Sequence, residues 1–492
     1  MSTLMILKEH RKGVAMPYWR YWLSRPVVTW GLPGFLLVGL FVALAFLSPR
    51  FAHEQNLMAQ PIILLVGSQL LAGGLYLLVI WRLSDAPHHR TLWIWILLVG
   101  AVMRTSMLMS TPMLEDDYYR YLWDGAVVAH GLNPYAFAPR DIAEAEAGAD
   151  SVPVALRQLA ADSGVVLGRI NHPHLRTIYP PVAQAMFALA HGFHPWSLTA
   201  WRVVLLGFDV ATLGLLIMIL RAVKRSPLWL VVYWWNPVVI KEIFNAAHMD
   251  VIALPFVLGA ILLAISGRYL WAASSLGLAM GAKVWPVVLL PVLIRPLLTD
   301  PRRLIPALVL FAALVGAMFL PVYAAGLDRT SGFIVYGHRW EMNDAVFMLI
   351  LWGVKGLLPT SDGQLIARIV VAVMVGVWIG WLLRGNVVDP AKVCERCLLV
   401  LAAVFLLSPT QFPWYYVWLI PFLTVRPWLP LLVLTALLPL YDLRFYFDAR
   451  GRVEIFDYGI VWVEYLPVWW LLIRQWRRRR PSIALREVAV SA

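Results

Sequence analysis

Pro61-Ile-Ile-Leu-Leu-Val-Gly-Ser-Gln-Leu-Leu-Ala-Gly-Gly-Leu-Tyr-Leu-Leu-Val-Ile-Trp81 holds no charged residue. Its length matches the roughly 20 apolar residues that a helix needs to cross about 30 Å of hydrocarbon. In lipid, only a helix can satisfy the backbone groups of such a run internally. The pattern recurs at Gly31–Leu47, Leu92–Ser110, Leu198–Leu220, Leu304–Ala325 and Gln364–Leu383. Across 492 residues, 61% are hydrophobic and 14% charged, against about 45–50% and about 25% in soluble domains. The expected fold is an all-α polytopic membrane bundle of about twelve transmembrane helices, with re-entrant or half helices and no detectable repeat.

Trp81, Trp93, Trp196, Trp229, Trp428 and Trp462 stand near block ends, as in an interfacial aromatic belt. The net charge of +13 does not imply nucleic acid, because the basic residues fall in short segments between apolar blocks. Residues 1–26 read as a basic cytoplasmic segment, 27–476 as the membrane domain, and 477–492 as a basic cytoplasmic tail whose run Arg477–Arg480 meets anionic lipid. The leader is longer than that of a signal peptide, so the first block reads as a retained anchor. The two cysteines, Cys394 and Cys397, form a C-x-x-C without the βαβ setting of a redox motif. They read as small apolar residues near a helix start.

The positive-inside rule orients the chain. Lys8, Arg11, Lys12, Arg20 and Arg25 hold the N-terminus in the cytoplasm, Arg82 and Arg90 mark an inner loop, and a short outer loop surrounds Glu54. The third span then opens outward into the longest polar stretch, residues 111–195, and Arg221, Lys224 and Arg225 mark the next inner end. The block Leu270–Ile294 reads as two half-helices turning at Gly281–Pro286, which keeps both flanking basic clusters inside and lifts Lys283 outward. Ala345–Leu358 is expected to dip in and return. Tyr336–Asn343, Ser408–Trp414 and Asp442–Asp457 then all face outward.

The outer loop begins Leu114-Glu-Asp-Asp-Tyr-Tyr-Arg-Tyr-Leu-Trp-Asp-Gly125. A helix over Asp117–Val128, begun one residue earlier, would place Asp116, Arg120 and Asp124 on one stripe. Three adjacent acids at a membrane boundary repel one another, and crowding with partial desolvation raises one pKa, which suits a general base. The bland reading is an acidic helix start, but it leaves the following Tyr, Trp and Arg unexplained. Ile170-Asn-His-Pro-His-Leu-Arg-Thr-Ile-Tyr-Pro-Pro181 follows, with Arg176 and Tyr179 just before a proline-fixed helix entry. His172 and His174 lack the further ligands of a metal site. Asp141–Asp150 reads as a solvated surface. Ser151–Ala161 reads as an amphipathic helix capped by Ser151, with Val152, Leu156 and Leu159 resting on the membrane. Three further clusters interrupt apolar sequence: Trp235–Asp250 with Lys241, His248 and Asp250; Lys283-Val-Trp-Pro286; and Tyr336-Gly-His-Arg-Trp-Glu-Met-Asn343 with His338, Arg339, Trp340 and Asn343. Ionisable groups in spans cost about 2.5–3.5 kcal/mol on insertion scales and are functional candidates, with interhelical hydrogen bonding or snorkelling as the plainer account.

With Asn133-Pro-Tyr135, Thr177-Ile-Tyr-Pro-Pro181, Trp235-Asn-Pro237, His248-Met-Asp250 and Ser408-Pro-Thr-Gln-Phe-Pro-Trp-Tyr415, these words resemble the GT-C glycosyltransferases. They are most similar to bacterial polyprenyl-phosphomannose-dependent α-mannosyltransferases, from about Leu92 to Leu423. The resemblance implies a GT-C membrane fold, a polyprenyl-phosphate-linked sugar donor, and a catalytic acid in the first large outer loop. By motif position that acid is Asp116, with Asp117 its close rival. The implied enzyme inverts, transferring one sugar to a glycan, glycolipid or protein hydroxyl at the periplasmic face of the bacterial inner membrane. Glu115, Arg120, Tyr121, Asp124, Arg176, Tyr179, Lys241, His248, Asp250, Lys283, His338, Arg339, Trp340 and Asn343 are the candidate substrate-binding residues. Lys283 and Arg339 lead for the phosphate, and Trp123, Tyr179 and Trp340 for packing the sugar. Phe412 stands where relatives often carry His. The acidic cluster is not a D-x-D, although Glu115-x-Asp117 has its spacing, so no metal and no cofactor are expected. Two rivals are a secondary transporter of an anionic substrate, which would show repeats and midplane charges, and an oligosaccharide ligase, which would carry its dominant outer loop late in the chain.

Overall fold

The computed structural model describes residues 27–83, 90–145, 152–358, 362–385 and 389–479. The N-terminal basic residues Lys8, Arg11, Lys12, Arg20 and Arg25, the capping residue Ser151, positions 146–150 of the acidic stretch, and the tail from Arg480 lie outside these. Among the described residues there is no strand, only two isolated bridges that tie Arg176 to Ser331 and Met342 to Thr410.

The chain is an all-α, multi-pass membrane protein. Seven helices among the described residues are long and apolar enough to cross a membrane: Thr29–Phe51, Ile62–Trp81, Arg90–Leu108, Leu198–Ala222, Pro301–Ala325, Gly363–Leu382 and Leu429–Asp448. An eighth span arises if Pro237–Asn245 and Met249–Ile265, bent by 106°, are taken as one. These helices do not confirm the expected count of about twelve. Trp285–Leu297 and Ala345–Leu357 are too short at 1.5 Å per residue. Pro390–Leu407 carries Lys392, Glu395 and Arg396 in its opening turns, and Val461–Arg479 holds Glu464, Arg474 and Arg477.

Local chemistry sets the breaks. Asn236 caps the helix at Pro237, its side chain accepting from Val238 N at 3.0 Å, while Pro237 supplies a preset φ with no N–H left unsatisfied. The flanking indoles dock on the Arg90–Leu108 helix, Trp235 donating to Ile96 O (2.8 Å) and Trp234 to Leu97 O (3.0 Å). Trp234 can lie so close only because Gly100 has no side chain there: a Cβ would meet its ring at under 3 Å. Small residues permit such approaches between helices in lipid.

The block Leu270–Ile294 breaks at Lys283, which is extended (φ −154°, ψ 144°) between Tyr269–Ala282 and a new helical path from Trp285. Lys283 returns to Asp250 at 3.1 Å, so Met249–Ile265 and Tyr269–Ala282 form a hairpin with both ends at the carboxylate side. Arg295 lies at the far end of the next segment, donating to Leu383 O at 3.0 Å. Ala345–Leu357 runs antiparallel to the start of Gly363–Leu382, with Lys355 against Gly363 and Phe347 and Leu351 clustered with Ala367 and Val371. It crosses nothing.

One charged pair is built into the spans themselves. Arg104 Nε meets Asp209 Oδ2 at 2.7 Å, with side chains 1% and 0% exposed. Arg104 also donates to Trp234 O (2.6 Å) and lies 3.5 Å over the Trp234 ring, while the Tyr233 hydroxyl donates to Asp209 Oδ1 at 2.7 Å. Every charge in the pair is answered, as buried ions in lipid require.

Candidate functional site

The acidic loop is clamped from below before it can present its carboxylates. Asn245, at the end of the first bent half-helix, accepts from Met113 N (3.0 Å) and donates to Ser110 Oγ and Thr111 O (2.7 Å each). Arg202 from the Leu198–Ala222 span donates to Leu108 O (2.9 Å), Ser110 O (2.6 Å) and Asn245 O. Leu114 (φ 69°) and Ala247 (φ 64°) adopt left-handed backbone immediately before Glu115 and His248, as do His172 (φ 46°) and Asn343 (φ 55°) within two other words of the site. Non-glycine residues hold such conformations at a cost of about 1–3 kcal/mol, and they cluster where surrounding structure enforces a functional geometry.

The helix expected over Asp117–Val128 runs Tyr118–Ala129 with Asp117 as its N-cap. The stripe of Asp116, Arg120 and Asp124 does not form. Asp116 precedes the helix and turns to Asn171, while Arg120 closes on Asp124 at 3.6 Å and on Leu175 O. A single Asn171 amide bridges the two acids, donating to Asp116 Oδ1 (2.7 Å) and Asp117 Oδ1 (2.8 Å). The other Asp117 oxygen accepts from the Tyr121 and Tyr179 hydroxyls at 3.4 Å and faces His248 Nδ1 at 3.8 Å. Asp117 remains 24% exposed, so it joins the buried cluster to water. Burial, then the adjacent Asp117 charge, pushes the Asp116 carboxyl up to about 6. Burial holds Glu115 well above the usual carboxyl range, with Lys241 opposing it.

His248 is the hub. It is fully buried and stacked on Trp414 at 3.9 Å. Its Nε2 lies 3.6 Å from Glu242 and 4.0 Å from Glu115, and neither ring nitrogen has a hydrogen-bond partner. Phe412 stacks on the other side of this system, against Trp414 at 4.4 Å. A histidine from the bent pair thus reaches the acids beside Phe412.

The expected cations divide. Lys283 is 16% exposed, paired with Asp250, and lies 4.7 Å over the Tyr415 ring. Asp250 also accepts from Trp418 Nε1 at 2.8 Å. Lys241 is not available as a ligand cation: it lies between Glu242 (3.0 Å) and Asp442 (3.3 Å), with Gln69 completing Asp442. Arg176 likewise ties loops together, donating to Ala325 O, Gly326 O and Asp328. Arg339 and His338 are exposed at the end of the Gly332–Arg339 helix and do not enter the buried cluster. Their neighbour Trp340 does reach the site's rim, its ring 4.6 Å from His172 and stacked on Tyr336. Asn343 lies in a separate buried pocket, donating to Gln411 O and Glu464 (3.2 Å each).

Two further expectations change. Trp123 is 2% exposed and stacked on Trp196, so it cannot pack a substrate. The Val154–Asp162 helix turns Leu156 and Leu159 inward, along with Val152, leaving Val154 exposed. The hydrophobic side of this helix closes the loop's own small core instead of lying on a membrane. Asn171, Glu242 and Asn245 lay within quoted words without being singled out, while Asp442 and Trp418 lie far along the chain. Arg104, Arg202 and Asp209 were legible only as charges inside apolar blocks. No group of three or more His, Cys, Asp or Glu suited to a metal ion occurs among the described residues. Cavities of about 420 Å³, lined by Ile142, Arg157, Ser163 and Leu167, and about 260 Å³, lined by Arg50, Gln55 and Asn56, lie apart from the carboxylates. Compared with known proteins, the chain matches no family model, no curated protein and no solved structure at a significant level.

Proposed function

We propose that this chain is an inverting, GT-C-like glycosyltransferase that moves one sugar, mannose by resemblance, from a polyprenyl-phosphate donor to a hydroxyl acceptor. The setting proposed is the periplasmic face of a bacterial inner membrane. The supporting observation is the meeting, at one point, of Asp117 with His248 and of Asp250 with Lys283, brought from three separate parts of the chain. In this reading Asp117, and not Asp116, is the base, because it faces the shared cluster while Asp116 turns toward Asn171 at its edge. Asp117 takes the acceptor's proton as the acceptor oxygen bonds to the anomeric carbon. The carbon–oxygen bond to phosphate breaks on the opposite face, and polyprenyl phosphate leaves with the electron pair. A β-linked donor then gives an α-linked product. In this reading Lys283 answers the departing phosphate's charge, while Arg339 stays exposed outside the buried cluster.

One observation favours transport instead: the Arg104–Asp209 pair inside two spans. Its complete local pairing fits a structural role better. The test is to incubate the purified chain with a series of polyprenyl-phosphate hexoses and a glycan acceptor. Labelled product with equimolar release of polyprenyl phosphate supports the transferase. Vesicle uptake of an anionic solute without any lipid-linked sugar would replace it with the transporter.

A further inference from the structure

The loops around Met342 and Pro409 are tied together by two backbone hydrogen bonds, Met342 N to Pro409 O and Gln411 N to Met342 O (2.9 Å each). That register sets Asn343 beside Gln411, and the Asn343 amide reaches on to the Val461–Arg479 helix. Its Nδ2 donates to Gln411 O and Glu464 Oε1 at 3.2 Å each, with the Tyr465 hydroxyl at 3.4 Å. Gln411 Nε2 is likewise engaged by backbone, donating to Ser408 O (3.0 Å) and Leu406 O (3.4 Å). Carbonyls that need a donor thus fix the orientation of both amides, and the amide oxygens are the atoms left over.

Three acceptors from three parts of the chain remain: Asn343 Oδ1, Gln411 Oε1 and Glu464 Oε2 are buried and have no hydrogen-bond partner. Glu464 is 0% exposed. The side chains that act on its carboxyl are Asn343 and Tyr465, and no Lys, Arg or His among the described residues pairs with it. A buried carboxylate without a counter-charge is strongly disfavoured until a proton or a cation answers it. A proton shared between Glu464 and Asn343 leaves Gln411 Oε1 bare. A cation answers the charge and the amide oxygens together. Oxygen-only donors suit a hard ion, and one carboxylate among neutral oxygens balances a single positive charge. So few protein ligands fit sodium better than the larger potassium.

We propose that Asn343, Gln411 and Glu464 hold a sodium ion that pins the two loops to the Val461–Arg479 helix. Gln411 directly precedes Phe412, whose ring stacks on Trp414 and through it on His248, so the ion braces the aromatic wall of the carboxylate site. The site does not depend on the sugar chemistry proposed above. The experiment uses the full chain in neutral detergent, exchanged into choline chloride at constant ionic strength. Thermal melting is followed as sodium, potassium or calcium replaces choline, and radiolabelled sodium measures binding directly. Sodium should bind saturably, one ion per chain, and raise the melting temperature by about 2–4 °C at saturation. Glu464→Gln, which keeps the shape and removes the charge, should lose both the binding and the sodium-dependent shift, whatever its own melting temperature. Glu454→Gln, an exposed acid nearby in sequence, should keep both. Should Glu464→Gln fail to fold, labelled-sodium binding to the wild type decides the matter. Equal gains from sodium, potassium and choline are a salt effect and overturn the site, as does equal loss in the two variants. Melting that follows pH alone, with no bound sodium, gives Glu464 a proton instead and also overturns it. Stabilisation by calcium without sodium overturns the single-charge assignment.

Discussion

Replacing Asp117 by Asn separates chemistry from architecture more cleanly than any other change at this site. The two side chains have the same shape. Asn171 can still donate to the Oδ1 of the new amide at 2.8 Å, and the tyrosine hydroxyls at 3.4 Å turn to accept from its NH2. Helix Tyr118–Ala129 loses no side-chain cap, since Asp117 makes none. The perturbation therefore removes proton acceptance and one negative charge while keeping the shape. A positioned general base contributes about 10²–10⁴-fold, or about 3–5.5 kcal/mol of barrier at 1.36 kcal/mol per tenfold. We expect kcat for sugar transfer to fall by that factor, while the donor KM and the melting temperature stay close to wild type, the pattern of an interaction made in the transition state alone. The assay is release of polyprenyl phosphate under single-turnover conditions, with Asp116→Asn as comparator. Should Asp117→Asn keep more than about a tenth of wild-type kcat while Asp116→Asn loses it, the base is Asp116. If both variants stay active, proton transfer to this loop plays no part in the reaction.

Other outcomes follow from the same contacts. The Asp116 carboxyl, raised from 3.8 to about 6, keeps its proton in the folded chain over a window where the unfolded chain has released it. Its contribution to stability is thus present below 3.8 and lost as pH rises through about 6. Across this window the wild type should lose melting temperature relative to Asp116→Asn, which cannot titrate there; parallel curves for the two would contradict it. Arg104→Ala should cost about 3–5 kcal/mol by stranding Asp209, seen as lower yield and earlier heat aggregation, whereas Arg104→Met with Asp209→Leu should recover most of the loss. Failure of the pair to recover would mean that the ions do more than answer each other. Gly125→Ala should destabilise by about 1–3 kcal/mol, because a Cβ there would come 2.6 Å from the Phe187 carbonyl carbon. Gly192→Ala, with open space around it, should melt no earlier than wild type, and equal losses at both glycines would refute the close-approach account.

The all-α, multi-pass character was legible in the sequence because lipid imposes a one-dimensional rule: twenty or so apolar residues, read locally, are enough to name a span. The same locality leaves the number of spans open. Lys392, Glu395 and Arg396 in one block, or the bend at Ala246–His248 in another, divide hydropathy in ways that a window does not see. Lys283 could be placed on the carboxylate side from positive-inside counting alone, since the basic clusters on either side of it exclude a single pass. The words that carry the site, including the acidic loop, His248-Met-Asp250 and Lys283, could be found because charged residues stand out against apolar sequence.

Which of those side chains share a pocket was a different kind of information. Lys241, Arg120 and Arg176 look as available on paper as Lys283, yet each is engaged by a partner from tens to hundreds of residues away or by its own helix. Asn171 and Asn245 read as ordinary polar loop residues until folding aims them at two aspartates and at the loop's backbone. Composition and periodicity determine whether a segment is dissolved in lipid, because solvation acts residue by residue. Pairing energy depends on distances of 3–4 Å between groups far apart in the chain, and those distances come into being only when the helices pack.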